Sequence, residues 1–219
     1  MCNLYSLTTN VEAIRRLFRL AIIHPNAGNL AAQPAIFPGY DAAVVRKTNE
    51  GRELLMMSWG FVLPQRDKAA KRVNNARADK VRASPFWRDS FEERRCLVPV
   101  TSFAEPKGKK PAVWHWFALR GDEPRPPFAF AGIWRSWKGP LKQDAEPVEM
   151  NVYSILTTIP NDVVKPVYPS RMPVMLSGAE EFETWLEGRA DEAFQLARPF
   201  PDEKMHIVLT GEKMDETII

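Results

Sequence analysis

The sequence predicts an α+β fold: one domain over residues 1–219, in which a mostly antiparallel, barrel-like β core is flanked by short helices. Three observations carry this expectation. Strand-like segments, β-branched or aromatic and bounded by Gly or Pro, outnumber helical ones and do not alternate regularly with them. The 19 prolines are spread as punctuation between short segments. Hydrophobic residues at 45% and charged residues at 26% make an ordinary globular balance, on a chain long enough to bury a substantial core.

The elements follow in chain order. Cys2 to Leu7 reads as a short strand. Thr9 and Glu12 have capping-box spacing ahead of Ile14, Leu17, Phe18 and Ala21, which share one helical face; the helix is expected to reach about Ile22 and end before Pro25. Glu53 to Gly60 reads as a largely buried strand. Ser84 before Pro85 predicts an N-cap and a short helix through Phe91. Arg95 to Val100, Ala112 to Leu119, Phe128 to Trp134 and Val152 to Thr158 have strand composition. Ser177 and Glu180 repeat the capping-box spacing before Phe182, Trp185 and Leu186, with Gly188 as the stop. A last strand, Met205 to Leu209, precedes a polar tail from about residue 210.

Several function classes are disfavoured. No apolar run approaches the roughly 18 residues of a membrane span, and no basic segment followed by an apolar stretch marks a signal peptide. A cytoplasmic protein without a membrane partner is the expectation. Cys2 and Cys96 are too few for a disulfide framework, and His24, His115 and His206 lie far apart, so neither a metal nor an organic cofactor is expected. Gly-rich nucleotide loops and the Gly-x-Ser-x-Gly elbow are missing. Between Arg66 and Arg95, ten basic residues, Lys71 and Arg72 among them, outnumber five acids, so this stretch carries the positive charge of the chain. Such a concentration suits a polyanion such as nucleic acid, although a solvated face would look the same.

Cys2 is the first candidate for chemistry. Removal of Met1 would leave a 1,2-aminothiol whose amine (reference pKa roughly 7.7–8.0) and thiol (about 8.5) are both partly deprotonated near neutral pH. The amine condenses with an aldehyde to a Schiff base, and the thiolate then closes a thiazolidine; an activated thiol instead attacks an acyl group. A small buried residue at the start of a strand is the plain alternative. Further on, Asn74-Asn75-Ala76-Arg77 lies in the basic stretch, Arg95-Cys96-Leu97-Val98-Pro99 leads to Ser102-Phe103-Ala104-Glu105, and Ile155-Leu156-Thr157-Thr158 precedes Ser170-Arg171-Met172-Pro173-Val174. Cys96, in an apolar run, reads as a core thiol, and Trp114 and Trp116 around His115 read as packing.

Together with Met1-Cys2 and Trp59-Gly60, these segments resemble the SOS response-associated peptidase family, in order from residue 1 to about residue 176. The resemblance implies one mixed α+β domain with a barrel-like core and an N-terminal cysteine that crosslinks to abasic sites in single-stranded DNA. Carried over residue by residue, it makes Cys2 the nucleophile, Asn75 the group that positions the opened sugar or the amine, and Glu105 the general acid/base. Arg77 and Arg171 would pair with phosphates, helped by Lys71 and Arg72, and Trp59, Phe86 and Trp87 could stack on bases. A turn asparagine, a surface carboxylate, ion-paired arginines and core aromatics are the corresponding plain readings. The sequence departs from the family at Leu4, where an arginine is usual, at Pro106, where Trp is common, and at Val167-Tyr168-Pro169-Ser170, where a histidine is usual. Tyr168 could supply a hydroxyl in the catalytic set, but with a reference pKa near 10 it is a poor base, which implies slower crosslinking, or altered reversal, relative to a histidine-bearing member. An N-terminal cysteine hydrolase and a single-stranded DNA-binding module with impaired chemistry are the competing readings. A monomer, nucleoid-associated when on DNA, is expected.

Overall fold

The structure, a computed structural model, describes residues 2–66, 68–122, 125–142 and 145–217. The chain begins with β1 (Tyr5–Leu7), α1 (Val11–Phe18), β2 (Leu20–Ile23) and β3 (Gln33–Ile36). Next come β4 (Asp41–Thr48), β5 (Gly51–Trp59), β6 (Phe61–Gln65), β7 (Lys68–Val73) and β8 (Asn75–Arg77), followed by the short helices α2 (Ala78–Val81) and α3 (Arg88–Glu93). The central run is β9 (Arg95–Val100), β10 (Ser102–Lys107), β11 (Val113–Leu119), β12 (Phe128–Gly139) and β13 (Val148–Thr158). The remainder is β14 (Met172–Pro173), β15 (Met175–Leu176), α4 (Ala179–Glu187), α5 (Ala190–Gln195) and β16 (Met205–Thr210). This is the expected α+β composition, strand-rich with few short helices.

The pairings close a ring. β13 pairs β12, β12 pairs β9, β9 pairs β4 and β4 pairs β5, all antiparallel; β5 then meets β13 in parallel through Val152↔Ser58 and Tyr153↔Trp59. Closure removes the unpaired edges these apolar strands would otherwise expose. Past Gly132 and Ile155 the β12–β13 pair opens, and the β14–β15 segment fills the gap, β15 on Ala129 and Phe130 and β14 on Thr157 and Thr158. The other edge of β13 receives β8 in parallel, Asn75 opposite Ile155 and Arg77 opposite Thr157. A second, antiparallel sheet has the order β16-β11-β10-β1-β3. Its Tyr5 and Phe103 pack edge-on to Phe130 of the barrel, while Leu4, Ala104 and Trp116 form a smaller cluster on its other face.

Several local expectations are corrected. α1 stops at Phe18, not near Ile22: Arg19 takes a left-handed conformation (φ 52°) and Leu20–Ile23 becomes a strand parallel to β5. Sheet pairing of the apolar, partly β-branched Leu20-Ala21-Ile22-Ile23 outweighs the roughly 1 kcal/mol cost of that backbone turn. The N-cap is Asn10, whose Oδ1 accepts from the Ala13 N–H at 2.9 Å, rather than Thr9. Ser84 does not cap a helix; its carbonyl accepts the N–H groups of Trp87 and Arg88 in a turn, and α3 begins at Arg88. At α4 the cap position is Gly178, and Glu181 rather than Glu180 reaches back, accepting the Ser177 N–H at 2.9 Å. Gly188 ends that helix as expected. The tail is polar but not loose, because Asp215 is fully buried.

Candidate active site around Cys2

Cys2 stands three residues ahead of β1. The Leu4 carbonyl accepts the Ala104 N–H at 3.0 Å, and Tyr5 faces Phe103, so this register carries the start of the chain alongside Glu105. Parallel pairing of β8 on β13 brings the two asparagines up from beneath. Asn75 Nδ2 donates to the Cys2 carbonyl at 2.8 Å, and Asn74 Nδ2 donates to the same oxygen at 3.1 Å and to Asn3 Oδ1 at 2.7 Å. The Asn74 carbonyl in turn accepts from Trp59 Nε1 at 3.0 Å and from the Ile155 N–H at 3.1 Å, which fixes the backbone behind that clamp. Asn75 Oδ1 is buried with no hydrogen-bond partner among the described residues. An acceptor held so close to the Cys2 backbone is suited to a donor that arrives during chemistry.

The electrostatics are those of a closed site. Cys2 and Glu105 are both fully buried. Burial, with the charge of Glu105 added, pushes the Cys2 thiol well above its ordinary value, so the thiol is protonated at neutral pH, contrary to the partial ionisation expected from the free amino acid. Burial also raises the Glu105 carboxyl from 4.5 to about 7, where it exchanges protons readily at neutral pH. Glu105 lies within β10 rather than just past a strand. Directly cross-strand stands His115, half-buried, with Nδ1 3.0 Å from the Val113 carbonyl. Beneath Cys2 the Tyr5 and Tyr153 hydroxyls share a hydrogen bond of 2.5 Å, and Trp59 stacks parallel to the Tyr153 ring. Met1, whose removal would free the Cys2 amine, lies outside the described residues.

The other sequence-predicted residues divide. Arg77 ends β8 and Arg171 precedes β14, and both guanidiniums meet at Asp79. Lys71 is exposed on β7, whereas Arg72 is half-buried, with Nη1 donating to the Gly60 carbonyl at 3.0 Å. Trp59 is fully buried and presents no ring face to a base, so its expected stacking role is corrected to a core one. Phe86 and Trp87 belong to a cluster with Phe61, and the Arg135 guanidinium covers both Phe61 and Phe86. Tyr168 is half-buried against the main core, and among the described residues no hydrogen bond joins it to Cys2, Asn75 or Glu105. Leu4 fills the small cluster of the second sheet, and Cys96 is an inaccessible core thiol. Asn74 and Asp79 were not singled out from sequence; adjacency to Asn75 and to Arg77 is the only signal they carry there. Among the described residues no group of three or more His, Cys, Asp and Glu side chains converges to hold a metal, and no helix is long and apolar enough to cross a membrane.

Known proteins resemble this chain in sequence and in fold. The family model described as SOS response associated peptidase (SRAP) matches residues 1–216. The abasic site processing protein YoqW of Bacillus subtilis is 25% identical over 210 residues, covering 94% of this chain and 90% of its own. Abasic site processing protein YoaM of the same organism is 26% identical over 190 residues, 85% of this chain and 79% of its own. Among solved structures, a Bacteroides thetaiotaomicron protein superposes with a TM-score of 0.73 at 24% identity, covering 94% of this chain and 90% of that one. A phage-related protein from Bordetella bronchiseptica does so with a TM-score of 0.67 at 21% identity, covering 94% and 92%. These two likenesses show the fold.

Proposed function

The chain belongs to the SOS response-associated peptidase family, and from that premise we propose that it processes abasic sites, Cys2 capturing the sugar aldehyde in single-stranded DNA as a thiazolidine. The observation that carries this reading is the double amide clamp on the Cys2 carbonyl, set beside a buried carboxyl poised near neutrality. The clamp holds the Cys2 carbonyl, and the α-amine freed by Met1 removal is left to react. The amine nitrogen adds to the aldehyde carbon of the ring-opened sugar, and water leaves to give an imine. The Cys2 sulfur then bonds to that same carbon while its proton passes to the nitrogen, so one water is released overall and nothing is oxidised or reduced. Glu105 carries protons for both the dehydration and the ring closure, which suits a carboxyl whose pKa lies near 7. A thiol that is neutral at rest fits this order of events, because the amine acts first.

Arg77 and Arg171 supply the cationic edge for the DNA backbone, with Lys71 on the neighbouring hairpin. The test is incubation of the protein, its N-terminal mass checked for loss of Met1, with single-stranded DNA bearing one abasic site. A covalent species on a denaturing gel, lighter by one water than the sum of its parts and missing in Cys2→Ala, is expected. Tight binding with no covalent species from correctly processed protein would leave a DNA-binding module, and turnover of a peptide would leave a cysteine hydrolase.

A further inference from the structure

The arginines that face DNA in this reading are already occupied. Arg77 Nε and Nη2 donate to Asp79 Oδ1 at 3.1 Å and Oδ2 at 2.6 Å, a two-pronged pairing along the side edge of the guanidinium that does not involve Nη1. Arg171 Nη2 donates to the same Oδ1. The fold makes the meeting unavoidable. β13 carries β8 on one edge and β14 on the other, so Arg77, opposite Thr157, and Arg171, next to Met172 opposite Thr158, arrive at one end of the barrel. Asp79 lies in the first turn of α2, two residues past Arg77. The hydrogen bonds from the two arginines hold its carboxyl well below the usual carboxylate range, so it is charged at every working pH.

A carboxylate held by two guanidiniums occupies the position a phosphate oxygen would take. Asn75 and Arg77 share a side of β8, roughly 7 Å apart along the strand, which places this fork one step along the surface from the Cys2 clamp. A phosphate that pairs through Nε and Nη2 of Arg77 must displace Asp79, and one that approaches Nη1 sits against the negative charge of that carboxylate. The side chains of Arg77 and Asp79 are 53% and 48% exposed, so the pair is accessible to exchange, while Arg171 at 12% is held in place. An exposed ion pair of this kind is weak enough to open for a ligand and strong enough to compete with one.

We propose that Asp79 is a specificity-determining residue: a built-in competitor for backbone phosphate that keeps affinity for intact single strands low, leaving retention on DNA to covalent capture at Cys2. The proposal rests on the DNA-binding part of the function proposed above. The probe is an unmodified oligothymidylate, with binding followed by fluorescence anisotropy across a salt series. Asp79→Asn is expected to bind it about three-fold or more tighter than the parent at low salt, with a salt dependence steeper by up to about one released counterion. Asp79→Ser serves as a second neutral variant should the first fail to fold by thermal melting, and Asp79→Glu, which keeps the charge, is expected to match the parent. A folded neutral variant that binds the intact strand no tighter than the parent overturns the proposal, as does Asp79→Glu behaving like Asp79→Asn. No binding by parent and variants alike overturns it as well. Tightening by the neutral variants without any Cys2-dependent adduct from the parent would instead sustain this inference and remove the covalent chemistry, so the two failures are distinguishable.

Discussion

At the scale of single residues, Glu105 gives the most direct reading of the site. Its carboxyl titrates near 7 in the folded protein, against 4.5 when exposed, and burial is the cause. Between those values the native state binds more protons than the unfolded state, so stability falls as pH rises through the window, by on the order of 3 kcal/mol for this one group. Glu105→Gln keeps the shape and removes the titration. Its urea midpoint is expected to fall less than the parent's between pH 5 and pH 7.5, and the crosslinking rate of the parent is expected to inflect near pH 7, an inflection the variant lacks. Parallel pH slopes for the two proteins would show that Glu105 does not titrate as the buried group described. Cys2 obeys the same physics, since burial and the Glu105 charge hold its thiol neutral, and under the proposed mechanism that leaves the amine to act first.

At the scale of elements, the legible parts of the sequence were those whose signal is local. Several strands are legible because their apolar, β-branched composition is their own: Arg95–Val100 is exact to the residue, and β12 and β13 extend further than their apolar parts, whereas Asp41–Thr48 and Ser102–Lys107 are strands that the sequence does not announce. The helical pattern of the sequence runs on into β2, because the reason for that strand is β5, thirty residues away. The two-residue strands β14 and β15 were invisible for the same reason, existing only because β12 and β13 part. Cys2, Asn75 and Glu105 could be put together only through family resemblance; composition and spacing contain nothing that joins residues 2, 75 and 105. Gly132 illustrates a constraint that becomes visible only with the pairing. It sits between Cys96 and Ile155, and a Cβ there would stand 2.8 Å from Cys96 Sγ and 3.0 Å from Val98 Cγ2. The Trp185 indole also donates to the carbonyls of Cys96 and Gly132, tying α4 to this junction. Gly132→Ala is expected to cost about 2 kcal/mol by overpacking, read as a lower urea midpoint with unchanged slope. A midpoint equal to the parent's would mean that the junction has room to relax.

At the scale of the whole molecule, the tail is fastened to the sheet into which the chain runs from Cys2. The Asp215 N–H donates to the Pro34 carbonyl, and its buried carboxylate takes Arg125 Nε at 2.6 Å and Nη2 at 3.2 Å, with Ser102 Oγ at 2.6 Å. Ser102 shares a 2.7 Å hydrogen bond with Ser6, so one polar chain runs from the tail through β10 to β1. Burial alone would raise the Asp215 pKa, but hydrogen bonds from Arg125 and Ser102 outweigh it and the net shift is downward. The stability it contributes is therefore complete above the ordinary carboxylate range and lost only as pH falls through the lowered value. Asp215→Ala takes the carboxylate away from an arginine whose side chain is only 11% exposed, at an expected cost on the order of 3 kcal/mol at neutral pH. Because β1 leads from Cys2 and β10 holds Glu105, the same variant is expected to slow adduct formation on abasic single-stranded DNA while leaving binding to an intact strand unchanged. Arg77 and Arg171, proposed to meet DNA, sit on β8 and before β14, outside this chain of hydrogen bonds. Chemical denaturation and a crosslinking time course at pH 7.5 read the two effects separately. A variant as stable as the parent would deny the ion pair its structural weight, and one destabilised yet equally fast would show that the tail holds the sheet without setting the geometry of Cys2.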